Sequence, residues 1–240
     1  MDAEFNDLLS HYSEPYHKAR LLAAAAPHSG DWLHTLPISA CGLHLEDNTI
    51  RVAVGLRLGC AICETHACLC GATVDSLGQH ALSCKKNAGS SSELKFHQSG
   101  SRHAGLSWDV GKRPDGLKLV PWQSGHSATW DVTVVHTLAA SYVSQSAIQT
   151  GSAATAASVR KSAKYSSLSS SHVFCPVAVE TLGPLADDAQ LFLTEIDRRA
   201  TLRTADLREG MFLYQWISVA IQRFNAVCLT NLLTVSESRS

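Results

Sequence analysis

The stretch GKRPDGLKLVPWQSGHSATWDVTVV, residues 111–135, decides how this chain is read. Its second apolar run, Trp130-Asp131-Val132-Thr133-Val134-Val135, is rich in β-branched and aromatic residues and predicts a strand. With 117–120 as its partner and Gln123-Ser124-Gly125 as the turn, the stretch predicts an antiparallel hairpin. Asp131 is out of place in such a strand, disfavoured by propensity and costly if buried alone. A metal ion would compensate it, and so would an ion pair with Arg113. Asp115 has its own two readings, a turn residue after Pro114 or a second ligand for the same ion.

Downstream, 152–168 is rich in alanine and predicts a helix. Residues 173–181 alternate as a strand should, and helices are expected over 187–200 and 206–231, the latter opened by Asp206 and Glu209 at capping-box spacing. The order from residue 110 is therefore strand, strand, helix, strand, helix, helix. Lys161, Lys164 and Tyr165 stand at i, i+3 and i+4 and share one helix face. They form either a solvated basic face or the cation that two paired aspartates would need. Upstream, 1–26 carries helical signals, and Ser29 is a candidate cap for a short helix. Residues 47–58, closed by Gly59, fit a capped helix, while the alternation of Ile50, Val52, Val54 and Leu56 fits a strand. Residues 87–105, rich in Ser, Gly and His, read as a loop or linker.

Five of the eight cysteines fall between residues 60 and 84. Cys68-Leu69-Cys70 is followed by His80 and Cys84, with Gly71 and Gly78 for tight turns, a spacing that suits tetrahedral zinc. Buried thiols are the plain alternative. Cys60, Cys63 and His66 lie close enough to substitute for a ligand. Four protein ligands leave no open position, so a structural zinc is expected.

Hydrophobic content of 45% over 240 residues describes a globular chain with ample length for a packed core. A net charge of −1 points to no polyanionic partner by itself. Locally, residues 85–118 carry seven lysines and arginines against Glu93, Asp109 and Asp115, an excess of four positive charges that makes a modest phosphate-binding patch. The apolar segment 211–233 is interrupted by Gln215, Gln222, Arg223, Asn225 and Asn231, so a packed amphipathic helix is expected and no membrane partner. Met1-Asp2-Ala3-Glu4 lacks the basic character of a secretory signal, so an intracellular location is expected, not a secreted one.

Cys-x-Cys-x9-His-x3-Cys, Lys112-Arg113-Pro114-Asp115, Trp130-Asp131 and Lys161-x-x-Lys164-Tyr165 together resemble the C-terminal region of non-LTR retrotransposon polyproteins. There a zinc knuckle precedes a restriction-like endonuclease of the PD-(D/E)xK type. Gly30-Asp31-Trp32-Leu33-His34-Thr35-Leu36-Pro37 and Gly55-Leu56-Arg57-Leu58-Gly59 look like the segment between reverse transcriptase and knuckle. Val179-Glu180-Thr181-Leu182-Gly183-Pro184 and Ile221-Gln222-Arg223-Phe224-Asn225 are similar to other parts of such tails.

The resemblance implies an α/β (α+β) fold, a small mixed sheet flanked by helices. It divides the chain into a helical linker at 1–59, a knuckle at 60–86 and an endonuclease domain at 100–233. It implies Asp115 and Asp131 as ligands of catalytic Mg²⁺ or Mn²⁺, with Lys164, Lys161 and Tyr165 completing the catalytic set. Cys68, Cys70, His80 and Cys84 would hold structural Zn²⁺, and Lys112, Arg113 and Lys118 would contact nucleic acid. The partners implied are a target DNA duplex and element RNA, in the nucleus or cytoplasm. The chain contains no Asp-Asp polymerase box, and 87–111 is short for the helix and strand the family has there. A nucleic-acid-binding remnant that no longer cleaves is therefore the alternative.

Overall fold

The computed structural model describes residues 3–84, 86, 114–168 and 170–237. Helices α1 (Ala3–His11), α2 (Pro15–Ala25) and α3 (Asp47–Leu58) come first, with 3-10 turns at Asp31–His34 and Ser39–Cys41. A miniature hairpin follows, β1 (His66–Ala67) and β2 (Thr73–Val74), then α4 (Gln79–Ser83). Strands β3 (Gly116–Gln123) and β4 (His126–Val135) lead through α5 (Val143–Ser146) and α6 (Ser152–Lys164) to β5 (His172–Glu180). Helices α7 (Asp187–Thr204) and α8 (Glu209–Glu237) complete the described chain.

The larger sheet has the order β3-β4-β5. β3 and β4 pair antiparallel, with Gly116 opposite Trp130, and β4 and β5 pair parallel, with Asp131 opposite Pro176. The expected hairpin forms because Ser124 and Gly125 both adopt positive φ, 50° and 82°, as a two-residue type I′ turn requires. Parallel pairing demands a long crossover, and α6 lies within it.

Successive side chains of a strand point to opposite faces, and the two faces of this sheet have different chemistry. Trp130, Val132 and Val134 of β4 join Val177 and Val179 of β5, Leu193 of α7 and Ile217 and Ile221 of α8 in one apolar layer. Full burial of each such aliphatic side chain contributes about 2 kcal/mol. The other face packs small residues: Ala178 of β5 against Ala154 and Ala157 of α6. Alanines at that interface let α6 approach the sheet closely, which brings its last turn over Asp131.

A second core joins segments far apart in sequence. Ala19 and Ala23 of α2, Val52 and Leu56 of α3, Val74, Ala81, Leu82, Cys68 and Cys84 of the cysteine-rich segment, and Ala226, Cys228 and Leu229 of α8 all meet there. Leu182, just after β5, joins them. At Gly183 the backbone has φ 112°, and an added Cβ would lie 2.6 Å from the Cα of Ser29, so only glycine fits.

The structure resolves one open reading and corrects several expectations. Residues 47–58 are helical: Val52, Ala53 and Leu56 are buried while Ile50 and Val54 are exposed, a helical rather than an alternating pattern. Ser29 is no cap, since Gly30 precedes the 3-10 turn and Ser29 is buried beside Gly183. The helix expected over 152–168 ends at Lys164, with Tyr165 at its cap and a 3-10 turn at Ser166–Leu168. The last helix starts at Glu209, and Asp206 Oδ1 accepts the backbone N–H of Arg208 just ahead of it. The loop expected at 87–105 lies outside the described residues. No described helix is long and apolar enough to cross a membrane.

Candidate functional site

Two polar clusters sit in otherwise apolar surroundings. The first is the cysteine cluster. In its hairpin the N–H of Cys68 bonds to Ala72 O at 2.8 Å and that of Gly71 to Cys68 O at 2.9 Å, which turns Cys68 and Cys70 toward α4. α4 then presents His80, and Cys84 follows at its cap. Cys68 Sγ lies 3.5 Å from Cys84 Sγ, and Cys70 Sγ lies 3.1 Å from His80 Nε2. The four ligand atoms all lie within 4.8 Å of one another. A tetrahedral zinc with thiolates at about 2.3 Å needs ligand atoms roughly 3.8 Å apart, so this Cys3His set can hold the ion.

The thiols differ in ease of ionisation. The Cys70 thiol is brought down to about 7, chiefly by the backbone N–H of Ala72, while burial pushes Cys68 up to about 11. The other nearby candidates are elsewhere. Cys63 Sγ donates to Asp75 O at 3.2 Å, His66 Nδ1 lies 2.8 Å from Glu64 O, and Cys60 is exposed.

The second cluster surrounds Asp131, only 4% exposed. Its Oδ1 accepts the Tyr165 hydroxyl at 2.8 Å, and its Oδ2 is paired with Lys161 Nζ. Lys164 Nζ donates to the Tyr165 hydroxyl at 3.1 Å and lies over that ring. Tyr165, 1% exposed, packs against Phe174 with ring centroids 4.6 Å apart. The helix face read from the i, i+3, i+4 spacing thus converges on the strand aspartate. Lys161 is half-buried and Lys164 exposed. Asp115 stands one step beyond the Gly116–Trp130 pair, at the strand end next to this cluster. Its Oδ2 accepts the backbone N–H of Val132 at 2.6 Å, which ties the exposed carboxylate to β4 beside Asp131.

A layer of buried groups holds this arrangement, and sequence reasoning did not give them roles. Glu180, at the end of β5, accepts the N–H groups of Ala153 and Ala154 at 3.1 and 3.3 Å. Helix α6 begins after Gly151 with no side-chain cap of its own, so the carboxylate supplies one. Burial raises the Glu180 carboxyl above the ordinary glutamate range. His136, following β4, contacts Thr181 Oγ1 through Nδ1 at 3.0 Å and Gln79 Oε1 through Nε2 at 3.1 Å. Burial lowers its pKa to about 4. Asn225 Nδ2 donates to Thr181 O at 2.8 Å. The sequence signals for these groups were the runs Val179-Glu180-Thr181-Leu182-Gly183-Pro184 and Ile221-Gln222-Arg223-Phe224-Asn225, both read only as part of the resemblance. His136 gave none.

Of the residues expected to touch nucleic acid, Lys112 and Arg113 lie outside the described residues, as does the Arg113–Asp131 pair. Lys118 is opposite Ala128, so it shares a face with Trp130 and not with Asp131. It lies 5.8 Å from the Trp122 ring centroid, across the sheet from the aspartate. Scans of protein-family models, curated proteins and solved structures found no match to this chain.

Proposed function

We propose that this chain is a retroelement-derived, metal-dependent endonuclease module of the PD-(D/E)xK type that nicks target DNA, with a structural zinc knuckle beside it. The observation that carries this reading is the convergence of Asp131 with Lys161, Lys164 and Tyr165, drawn from a mid-sheet strand and a crossover helix, with Asp115 on the adjoining strand end. A core needing no chemistry would place an apolar residue at position 131 instead.

Asp115 and Asp131 would hold Mg²⁺ or Mn²⁺, hard cations that accept one or two carboxylates. When bound, such an ion would supply positive charge against the phosphodiester and lower the pKa of a coordinated water. Tyr165 holds one oxygen of Asp131 in place, and Lys161 balances the other. Lys164, exposed and tethered to the Tyr165 hydroxyl, is the cation free to meet a phosphate oxygen. Hydrolysis needs no further co-reactant: water oxygen bonds to phosphorus, and the leaving oxygen departs with a proton.

Nicking of supercoiled plasmid by the zinc-loaded chain in Mg²⁺ tests the reading. Asp131→Asn should slow nicking by at least about 100-fold while duplex binding persists, because phosphate contacts come from Lys and Arg. One observation favours the alternative of a binding remnant: Lys161 already neutralises the buried aspartate without any ion. A wild-type chain that binds zinc and DNA yet never nicks would establish the remnant.

A further inference from the structure

On the face of the sheet opposite Asp131 lies a cavity of about 340 Å³ among β3, β4, α7 and the start of α8. Its aromatic walls are Trp122, Trp130 and Phe192, with ring centroids 5.3 Å apart for Trp122–Phe192 and 6.0 Å for Trp130–Phe192. The Trp130 indole lies directly over Gly116, where any Cβ would come within 2.1 Å of the ring. The rest of the lining is aliphatic except for three cations: Lys118, Arg199 and Arg203. No carboxylate lines the cavity among the described residues. Arg199 places its guanidinium 3.9 Å from the Trp122 ring centroid and shares Glu195 with Arg198. Lys118 and Arg203 are exposed and make no ion pair among the described residues.

We propose that this cavity binds an unpaired nucleotide of a DNA single strand. Half-buried aromatic rings offer a stacking surface that every base can use, and a guanidinium plane adds to it. Cations at the rim match the phosphates on either side of that base. A purely apolar ligand would leave Lys118 and Arg203 without a counter-charge, and a purely phosphate-directed site would not need a Trp-Phe-Trp wall. The inference rests on the endonuclease reading only for the choice of polymer, since a nicked or opened duplex exposes the strand.

The test uses the full chain in magnesium-free buffer and reads binding alone, by fluorescence anisotropy of labelled dT12. Its outcome is therefore independent of whether the protein cleaves. An abasic strand of the same length should bind at least about tenfold more weakly. Lys118→Glu and Arg203→Glu, at exposed positions that leave the fold alone, should each weaken dT12 binding several-fold and lower the salt slope by about one. Trp122→Ala should abolish the preference for dT12 over the abasic strand, and Asp131→Asn should leave it intact. Equal binding of dT12 and the abasic strand by wild type would overturn the proposal, as would indifference to both charge reversals. Competition by free dTMP at the concentrations where dT12 binds would assign the cavity to mononucleotides and overturn the strand reading. A dimer that Arg203→Glu dissolves would give the cavity to a second copy, with the same consequence.

Discussion

The cysteine cluster and the Asp131 cluster solve one problem, polar atoms inside an apolar fold, in opposite ways. Cys68, Cys70, His80 and Cys84 come from seventeen consecutive residues, and two short turns bring them together. Asp131, Lys161 and Tyr165 come from a strand and a crossover helix, and that helix is itself anchored by Glu180 from a third element. The first cluster brings together four soft donors that could share one zinc ion. The second is already neutralised within the protein. Local ligands are a matter of spacing, whereas distributed ones depend on topology.

The largest expected effect would break this comparison most directly. Cys84 is buried in the core that also holds Ala23, Leu56 and Leu229, so on the zinc reading its ligand and packing roles are joined. Cys84→Ser should lose stoichiometric zinc and about 4 kcal/mol of stability, read by colorimetric zinc release and urea unfolding. Retained zinc, or a loss below about 1 kcal/mol, would mean that the cysteines are only packing groups.

His136 joins the two clusters, bridging Gln79, next to His80 of the cysteine cluster, to Thr181, next to Glu180. Its folded pKa of about 4 lies below the ordinary 6.5, so the unfolded chain binds the extra proton. The stabilisation is complete above pH 6.5 and is lost as pH falls toward 4, by roughly 3 kcal/mol at the limit. Acid would also displace any bound zinc, so the informative quantity is the difference between wild type and His136→Gln in urea unfolding at pH 7 and pH 4.5. The wild type should lose more. Parallel curves would show that His136 is not the acid-sensitive link between the clusters.

Glu180→Ala leaves the N–H groups of Ala153 and Ala154 without their buried acceptor and should cost about 2 kcal/mol. Glu180→Gln keeps a carbonyl oxygen there, removes a buried charge, and should cost less than about 0.5 kcal/mol. Equal losses in the two variants, measured by thermal melting, would mean that the charge rather than the hydrogen bond anchors α6. The smallest effect sharpens the picture of the Asp131 cluster itself. Tyr165→Phe keeps the ring against Phe174 and removes only the hydroxyl, so stability should fall by about 1 kcal/mol. On the endonuclease reading, nicking should slow about tenfold through misplacement of Asp131. A variant as active as wild type would make the hydroxyl a packing detail.

The hairpin was legible because Ser124-Gly125 supplies the turn conformation and β-branched residues crowd both flanks. The four cysteine-cluster ligands were legible for the same reason, local spacing. Helix α3 was not, since Ile50, Val52, Val54 and Leu56 satisfy both periodicities and only burial separates them. Lys118 read as part of a basic patch with Lys112 and Arg113, but strand parity sends it to the Trp122 face. Alanines at 154 and 157 read as helix propensity alone, although their small size is what lets α6 lie close against Ala178.

By itself, then, the sequence determined the elements whose causes are local: the antiparallel hairpin, the Cys3His spacing, and the helix face carrying Lys161, Lys164 and Tyr165. Tertiary structure alone decided that β5 pairs parallel to β4, that Glu180 caps a helix through Ala153, 27 residues before it, and that His136 spans from α4 to Thr181. The physical reason lies in range. Turn conformations and residue spacing act over a few bonds, while a buried carboxylate or imidazole takes its partner from whichever element packing brings within hydrogen-bond distance.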